Sequence, residues 1–319
     1  MLPDLGQLTS AAETIYQRMP PTPQYRWPML NKRLGLDLWL KHENHTPVGA
    51  YKVRGGLDYF RSKSDELCDC VIGATRGNHG QSIAFAAGLY DIPVKIVVPH
   101  GNSVEKNAAM RSLGAELIVQ GDDFQASLEY ATDRAQRDGL QMVPSFDPLL
   151  IGGVGTYSLE LFRAVANVDV LYVPIGLGSG ICGAIAAKRA LRLNVELVGV
   201  VSAHANAYAE SFRSDQIVTR PSQTRIADGM ACRVPNPTAL ELIRDGVSRI
   251  VEVSDDAVEK AMVDVYECTH NVVEGAAAAS VAAATIDAPR LSGKRVAAVL
   301  TGANVDREVF ADIISKHPS

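Results

Sequence analysis

From Leu38 onward, short β-branched runs alternate with longer amphipathic stretches. Leu38–Lys41, Val71–Thr75, Val94–Val98, Ala115–Val119, Val170–Val173, Glu196–Val201 and Arg295–Leu300 have the length and Val/Ile content of strands. Between them, Asn78–Tyr90, Val104–Leu113, Phe124–Asp138, Gly153–Ala166 and Ile181–Leu193 read as helices. Strand–helix alternation predicts βαβ units, with parallel sheets covered by helices on both faces. The expected class is α/β. Right-handed crossovers place ligand loops at the carboxyl ends of the strands, so chemistry should sit just after each strand. No low-complexity linker or fixed repeat divides the chain. Two interleaved lobes, each with a mostly parallel sheet flanked by helices, suit 319 residues better than one continuous sheet.

Composition narrows the function. At 47% hydrophobic and 21% charged, the chain has enough apolar side chains for a core and is not disordered. A net charge of −5, without a Lys/Arg block, argues against a nucleic-acid partner held through phosphates. Cys68, Cys70, Cys182, Cys232 and Cys268 are odd in number and mostly far apart, which fits a reducing cytoplasm rather than a disulfide framework. Cys68 and Cys70 lack a second Cys/His pair for zinc and read as small packing residues. The N-terminal stretch carries acids and no apolar core, so no signal peptide is expected. Val272–Ile286, interrupted by Glu274, Gly275 and Ser280, is too short to span a bilayer.

Three loops carry candidate chemistry. His45–Gly56 places Lys52 behind a Pro/Gly-rich turn at the start of a helix, where the dipole favours a neutral amine. A neutral amine is what Schiff-base chemistry needs, although a lysine is ordinarily a solvated surface charge. Thr75-Arg76-Gly77-Asn78-His79-Gly80 supplies a hydroxyl, an amide, an imidazole and helix-terminal N–H groups at one point. Such a turn holds a carboxylate, or is simply an Asn cap beside a satisfied His. Pro174–Gly183, with Gly176, Leu177, Gly178, Ser179 and Gly180, lets backbone N–H groups converge on a phosphate. As a dinucleotide site it is poor, since Glu196 is the only ribose ligand offered about twenty residues on.

Taken in order, the loops resemble the serine/threonine dehydratase branch of the pyridoxal-phosphate (PLP) enzymes, of the tryptophan-synthase-β fold type. The resemblance runs from about Thr22 to Asp306. TPVGAYKVRGG resembles P-x-G-S-F-K-x-R-G-A, which makes Lys52 the implied Schiff-base lysine. TRGNHGQS resembles S-x-G-N-H-x-Q-G. It implies Thr75, Asn78 and His79 around the substrate carboxylate, with Asn78 also touching the cofactor, and places Arg76 and Gly77 in the same substrate-binding turn. PIGLGSG resembles the phosphate loop, with Leu177 and Ser179 replacing glycines. Further matches are Gly155-Thr156, Ala227-Asp228-Gly229 and Leu300–Asp306, the last implying that Thr301 faces the pyridine nitrogen. The implied organisation is a large cofactor-binding domain, 1–67 plus 148–319, and a small mobile domain, 68–147, that closes over the substrate. A homodimer is implied as well.

The resemblance further implies a lyase. The substrate displaces Lys52, whose freed amine takes the Cα proton, and a hydroxyl leaves Cβ. The products are a 2-oxo acid and ammonia. A neutral Thr301 hydroxyl does not hold the ring nitrogen protonated, which favours elimination over transamination. Expected substrates are 3-hydroxy amino acids: threonine, serine, or an analogue such as phenylserine, 3-hydroxyaspartate or a hydroxyectoine-derived amino acid. Alternatives are β-replacement, as in cysteine synthase, a catalytically silent PLP-binding protein, and an NAD-dependent oxidoreductase. Two departures matter. Serine racemases carry a Ser acid/base where Arg76 stands, and Arg cannot be deprotonated at working pH, so racemisation should be weak. Arg76 instead pairs with a second acid on the substrate or with a protein carboxylate, or points to the surface. Val201 and Ala207 stand where relatives carry cation-binding acids, so no metal is expected, with His204 at the surface or rim. The few residues after Asp306 leave no appended regulatory domain in this sequence.

Overall fold

The computed structural model describes residues 2–317. Among these residues the strands, in chain order, are β1 Gln24–Arg26, β2 Asp37–His42, β3 Val71–Ala74, β4 Val94–Val98, β5 Glu116–Val119, β6 Gln141–Met142, β7 Val170–Pro174, β8 Glu196–Ser202, β9 Arg249–Val253 and β10 Arg295–Leu300. They form a six-stranded sheet in the order β1-β2-β10-β7-β8-β9 and a four-stranded sheet in the order β5-β4-β3-β6. Every pairing is parallel except β1 with β2. The all-buried runs VIGA and VLYVP are what a sheet covered on both faces requires.

All seven expected strands form. The other three, β1, β6 and β9, lie at sheet edges. β1 and β6 are only three and two residues long and are defined by ladder hydrogen bonds, whereas the β-branched run RIVEV of β9 carries a strand pattern of its own and is missing from the expected set. Two helices begin earlier than their periodicity indicates. Pro148–Ala164 starts at Asp147, whose side chain accepts from the Leu149 N–H, with Pro at the first position. Ser179–Ala190 starts inside the glycine loop. Cys68 departs from its expected packing role: it is exposed, in the bend before β3. Among the described residues, no helix is long and apolar enough to cross a membrane.

Helix Lys52–Ser62 stands between the two sheets. Val53, Leu57 and Phe60 share one core with Ile83, Val94, Ile96 and Met110 of the smaller lobe. Its other side meets Pro148–Ala164 so closely that a Cβ on Gly153 would come 2.2 Å from the Arg54 carbonyl. A Cβ on Gly183 would likewise come 2.8 Å from Gly155 Cα. These close approaches bring the start of the Lys52 helix to the start of Ser179–Ala190. Thr75, Ile175 and Thr301 each follow a strand end directly, so β3, β7 and β10 deliver their loops to one cleft.

Candidate active site

Lys52, Thr75, Arg76, Gly77, Asn78, His79, Gly176, Leu177 and Thr301 all line one cleft. The three loops singled out by sequence thus share one cavity. Lys52 is the first residue of its helix and donates from Nζ to Ser179 Oγ at 2.8 Å. Gly178 precedes Ser179–Ala190 with φ +102° and caps it without any side-chain hydrogen bond, leaving the first-turn N–H groups to an anion. A Cβ on Gly176 would come 2.4 Å from the Gly229 carbonyl. A reactive amine facing uncapped helix N–H groups and a neutral hydroxyl, Thr301, fits a phosphorylated pyridine aldehyde. Lys52 would hold the carbonyl carbon, the 176–180 loop the phosphate, and Asn78 and Thr301 the ring.

Backbone bonds knit the loops together. Tyr51 N donates to the Thr301 carbonyl at 3.0 Å, Ala303 N to Gly49 O at 2.8 Å and Glu274 N to Gly302 O at 3.0 Å. Gly49 takes φ +67°, and a Cβ there would come 2.7 Å from Asn304 Oδ1. Asn304 Nδ2 donates to Val48 O at 2.9 Å and to Asn78 Oδ1 at 2.8 Å. Asn78 Nδ2 donates in turn to Glu274 Oε1 at 2.7 Å. The Thr75 hydroxyl accepts from the N–H groups of Gly77 and Gly80 at 2.9 and 3.3 Å, so it shapes the turn while its own proton stays free to donate.

Lys106, from the smaller lobe, crosses the cleft to Asp228 at 2.8 Å and to Glu274 at 3.3 Å. Burial alone would disfavour its charge; the two carboxylates outweigh burial and hold it protonated. Burial pushes the Glu274 carboxyl above its usual range, against the pull of Lys106. His79 is buried and, next to the Lys52 charge, is driven down to about 3, so its imidazole is neutral at working pH. Among the described residues its Nε2 has no hydrogen-bond partner, and neither does Arg76 Nε.

Lys106, Glu274 and Asn304 are absent from the sequence-derived site. Glu274 had one signal, a single acid in an apolar stretch; Lys106 had none. Asp228, which the sequence offered only as a loop match, meets Lys106. Gly178, Ser179 and Gly180 shape the loop without lining the cavity, Ser179 meeting it only through its bond with Lys52. Val201 and Ala207 are buried and His204 is exposed. Among the described residues, no group of three His, Cys, Asp or Glu is placed to hold a metal.

Comparison with known proteins shows what the chain is similar to. The chain is 34% identical over 317 residues to the L-threo-3-hydroxyaspartate ammonia-lyase of Saccharomyces cerevisiae, covering 99% of this chain and 97% of that one. It is 34% identical over 289 residues to the L-threonine ammonia-lyase of Geobacter sulfurreducens, covering 90% and 72%. Its fold is similar to maize serine racemase, with a TM-score of 0.91 at 26% identity over 99% and 98% of the two chains. Residues 15–302 match the model of the pyridoxal-phosphate-dependent enzymes, and the chain belongs to that family.

Proposed function

We propose that this protein is a PLP-dependent ammonia-lyase that converts a 3-hydroxy amino acid to a 2-oxo acid and ammonia. The observation that carries the reading is Lys52: an amine in the cleft, 2.8 Å from Ser179 of the phosphate loop, facing the Thr75–His79 turn. The bound cofactor supplies a carbonyl that captures the substrate amine and a conjugated ring that takes up the electrons left at Cα. The chain supplies the rest. The Thr75 hydroxyl and the Asn78 end of helix Asn78–Gly88 hold the substrate carboxylate. Lys52, released from Ser179, takes the Cα proton and later returns a proton. His79, neutral, shapes the carboxylate wall and is not the acid. Thr301 keeps a neutral hydroxyl at the ring.

The balance closes. The Cα–H and Cβ–O bonds break with loss of water; the resulting enamine tautomerises and takes up water to give 2-oxo acid and ammonia. The small lobe, residues 68–147, closes over the substrate in this reading. Cross-cleft contacts support it: Lys106 to Asp228, Ser103 Oγ to Asp306 at 2.5 Å, and Arg233 to Asp123 at 2.8 Å. The nicotinamide alternative loses its basis, because the glycine loop faces a lysine that hydride transfer does not need. Holoenzyme incubated with serine, threonine, phenylserine and 3-hydroxyaspartate should release 2-oxo acid and ammonia in equal amounts from at least one. Silence on all four, or product only when a thiol is added, would overturn the reading, the latter in favour of β-replacement.

A further inference from the structure

Three cations face the cleft, and their partners differ. Lys52 is bonded to Ser179, and Lys106 is matched by Asp228 and Glu274. Among the described residues Arg76 has no counterion: its guanidinium enters no ion pair, and its Nε is buried without a hydrogen-bond partner. Asp123, which lines the adjoining groove together with Arg76, is held by Arg233 at 2.8 Å. The two carboxylates that line the cleft, Asp228 and Glu274, are engaged by Lys106 and Asn78. A guanidinium carries five donors in a planar fork; Arg76 is half-buried, and it is the Nε donor that is withdrawn from water without an acceptor, which is unfavourable. Arg76 lies between Thr75 and Gly77 in the turn assigned to the α-carboxylate, so an anion at Arg76 would belong to the same bound molecule.

We infer that the cleft selects a 3-hydroxy amino acid bearing a second carboxylate on Cβ, with Arg76 as that carboxylate's partner. This rests on the ammonia-lyase reading and adds the substrate class to it. The fork matches a carboxylate in a two-point contact, and the neutral side chains of serine, threonine and phenylserine leave it unmatched. Arg76 is then a specificity residue: it binds substrate and moves no proton.

The test has a kinetic arm and a binding arm. In the first, 2-oxo acid release is measured for threo-3-hydroxyaspartate, serine, threonine and phenylserine with wild-type, Arg76→Lys and Arg76→Ser holoenzymes. Wild type should favour the dicarboxylate in kcat/KM by about tenfold or more. Arg76→Ser should lose about 10- to 100-fold on that substrate while changing serine and threonine by less than about threefold. Arg76→Lys should fall between, since it keeps the charge and loses the fork. In the second arm, succinate should raise the melting temperature of wild type but not of Arg76→Ser, and butyrate should shift neither. A uniform loss on every substrate, a wild type that prefers serine or threonine, or a succinate shift that survives Arg76→Ser would each overturn the inference. Should no substrate yield a 2-oxo acid, the ammonia-lyase reading falls, and the succinate arm still decides whether Arg76 is an anion site.

Discussion

Around Arg54 every buried charge has its partner; around Asn78 it does not. Arg54 is fully buried and donates to both oxygens of Glu43 at 2.7 and 3.0 Å and of Glu160 at 2.6 and 2.9 Å, with Thr156 and Thr22 taking further bonds. Lys41 completes the set, reaching Glu160 at 2.5 Å and the Thr22 carbonyl at 2.7 Å. Two cations meet two carboxylates, and the guanidinium has no donor to spare. In the cleft, by contrast, Arg76 Nε and His79 Nε2 are unpartnered, and Lys106 serves two acids. A closed network has nothing left for a ligand and acts on shape: Arg54 is two residues from Lys52 and fixes the first turn of its helix. The open set is where a ligand completes the bonding.

Breaking the closed network should give the larger effect on stability. Arg54→Ala leaves the buried Glu43 with no cation and Glu160 with Lys41 alone, and urea denaturation should show a loss of about 3–5 kcal/mol. Lys106→Met touches a set that already borders water through Asp228, and its stability cost should be smaller, about 1–3 kcal/mol. Its main effect should be on turnover, a loss of roughly tenfold or more in kcat/KM, because Glu274 and through it Asn78 lose their anchor. Equal stability losses for the two variants, with no catalytic deficit in Lys106→Met, would erase the contrast.

The open cluster also predicts a pH dependence. Burial first, and then the Lys52 charge, lowers His79 from 6.5 to about 3. Between those values the unfolded chain binds a proton that the folded chain refuses. This contribution to stability is therefore present above pH 6.5 and is lost as pH falls toward 3, on the order of 5 kcal/mol in all. Burial places His42 at about 4, which adds to the same trend. His79→Asn should flatten the slope of unfolding free energy between pH 6.5 and 4, and an unchanged slope would show that His79 is already solvated or charged. The smallest expected effect is that of chelation. With Val201 and Ala207 buried and apolar, EDTA should leave activity and melting temperature unchanged within error. A loss restored by magnesium or calcium would contradict this.

What the sequence made legible follows the range of the interactions. The turns that carry Lys52, Thr75, Asn78, His79 and the 176–180 loop were visible because turn geometry and helix starts are set by a few neighbouring residues, while their joint assignment to one site came from the family resemblance. Partners that meet across the fold were not. Arg54 and Glu160 are 106 residues apart, Lys106 and Asp228 122, and Asn78 and Glu274 196. No local pattern marks such pairs. The same holds for β1 and β6, whose three- and two-residue segments become strands only through their ladder partners.

The central claim is that the closed network holds Lys52 in place for chemistry that the open cleft performs. Lys52→Ala tests it most directly, with 2-oxo acid release and the urea midpoint measured on the same preparation. The account predicts that product release is abolished, together with the visible absorbance of lysine-bound cofactor, while the midpoint stays near that of wild type. Normal product release by Lys52→Ala would contradict it.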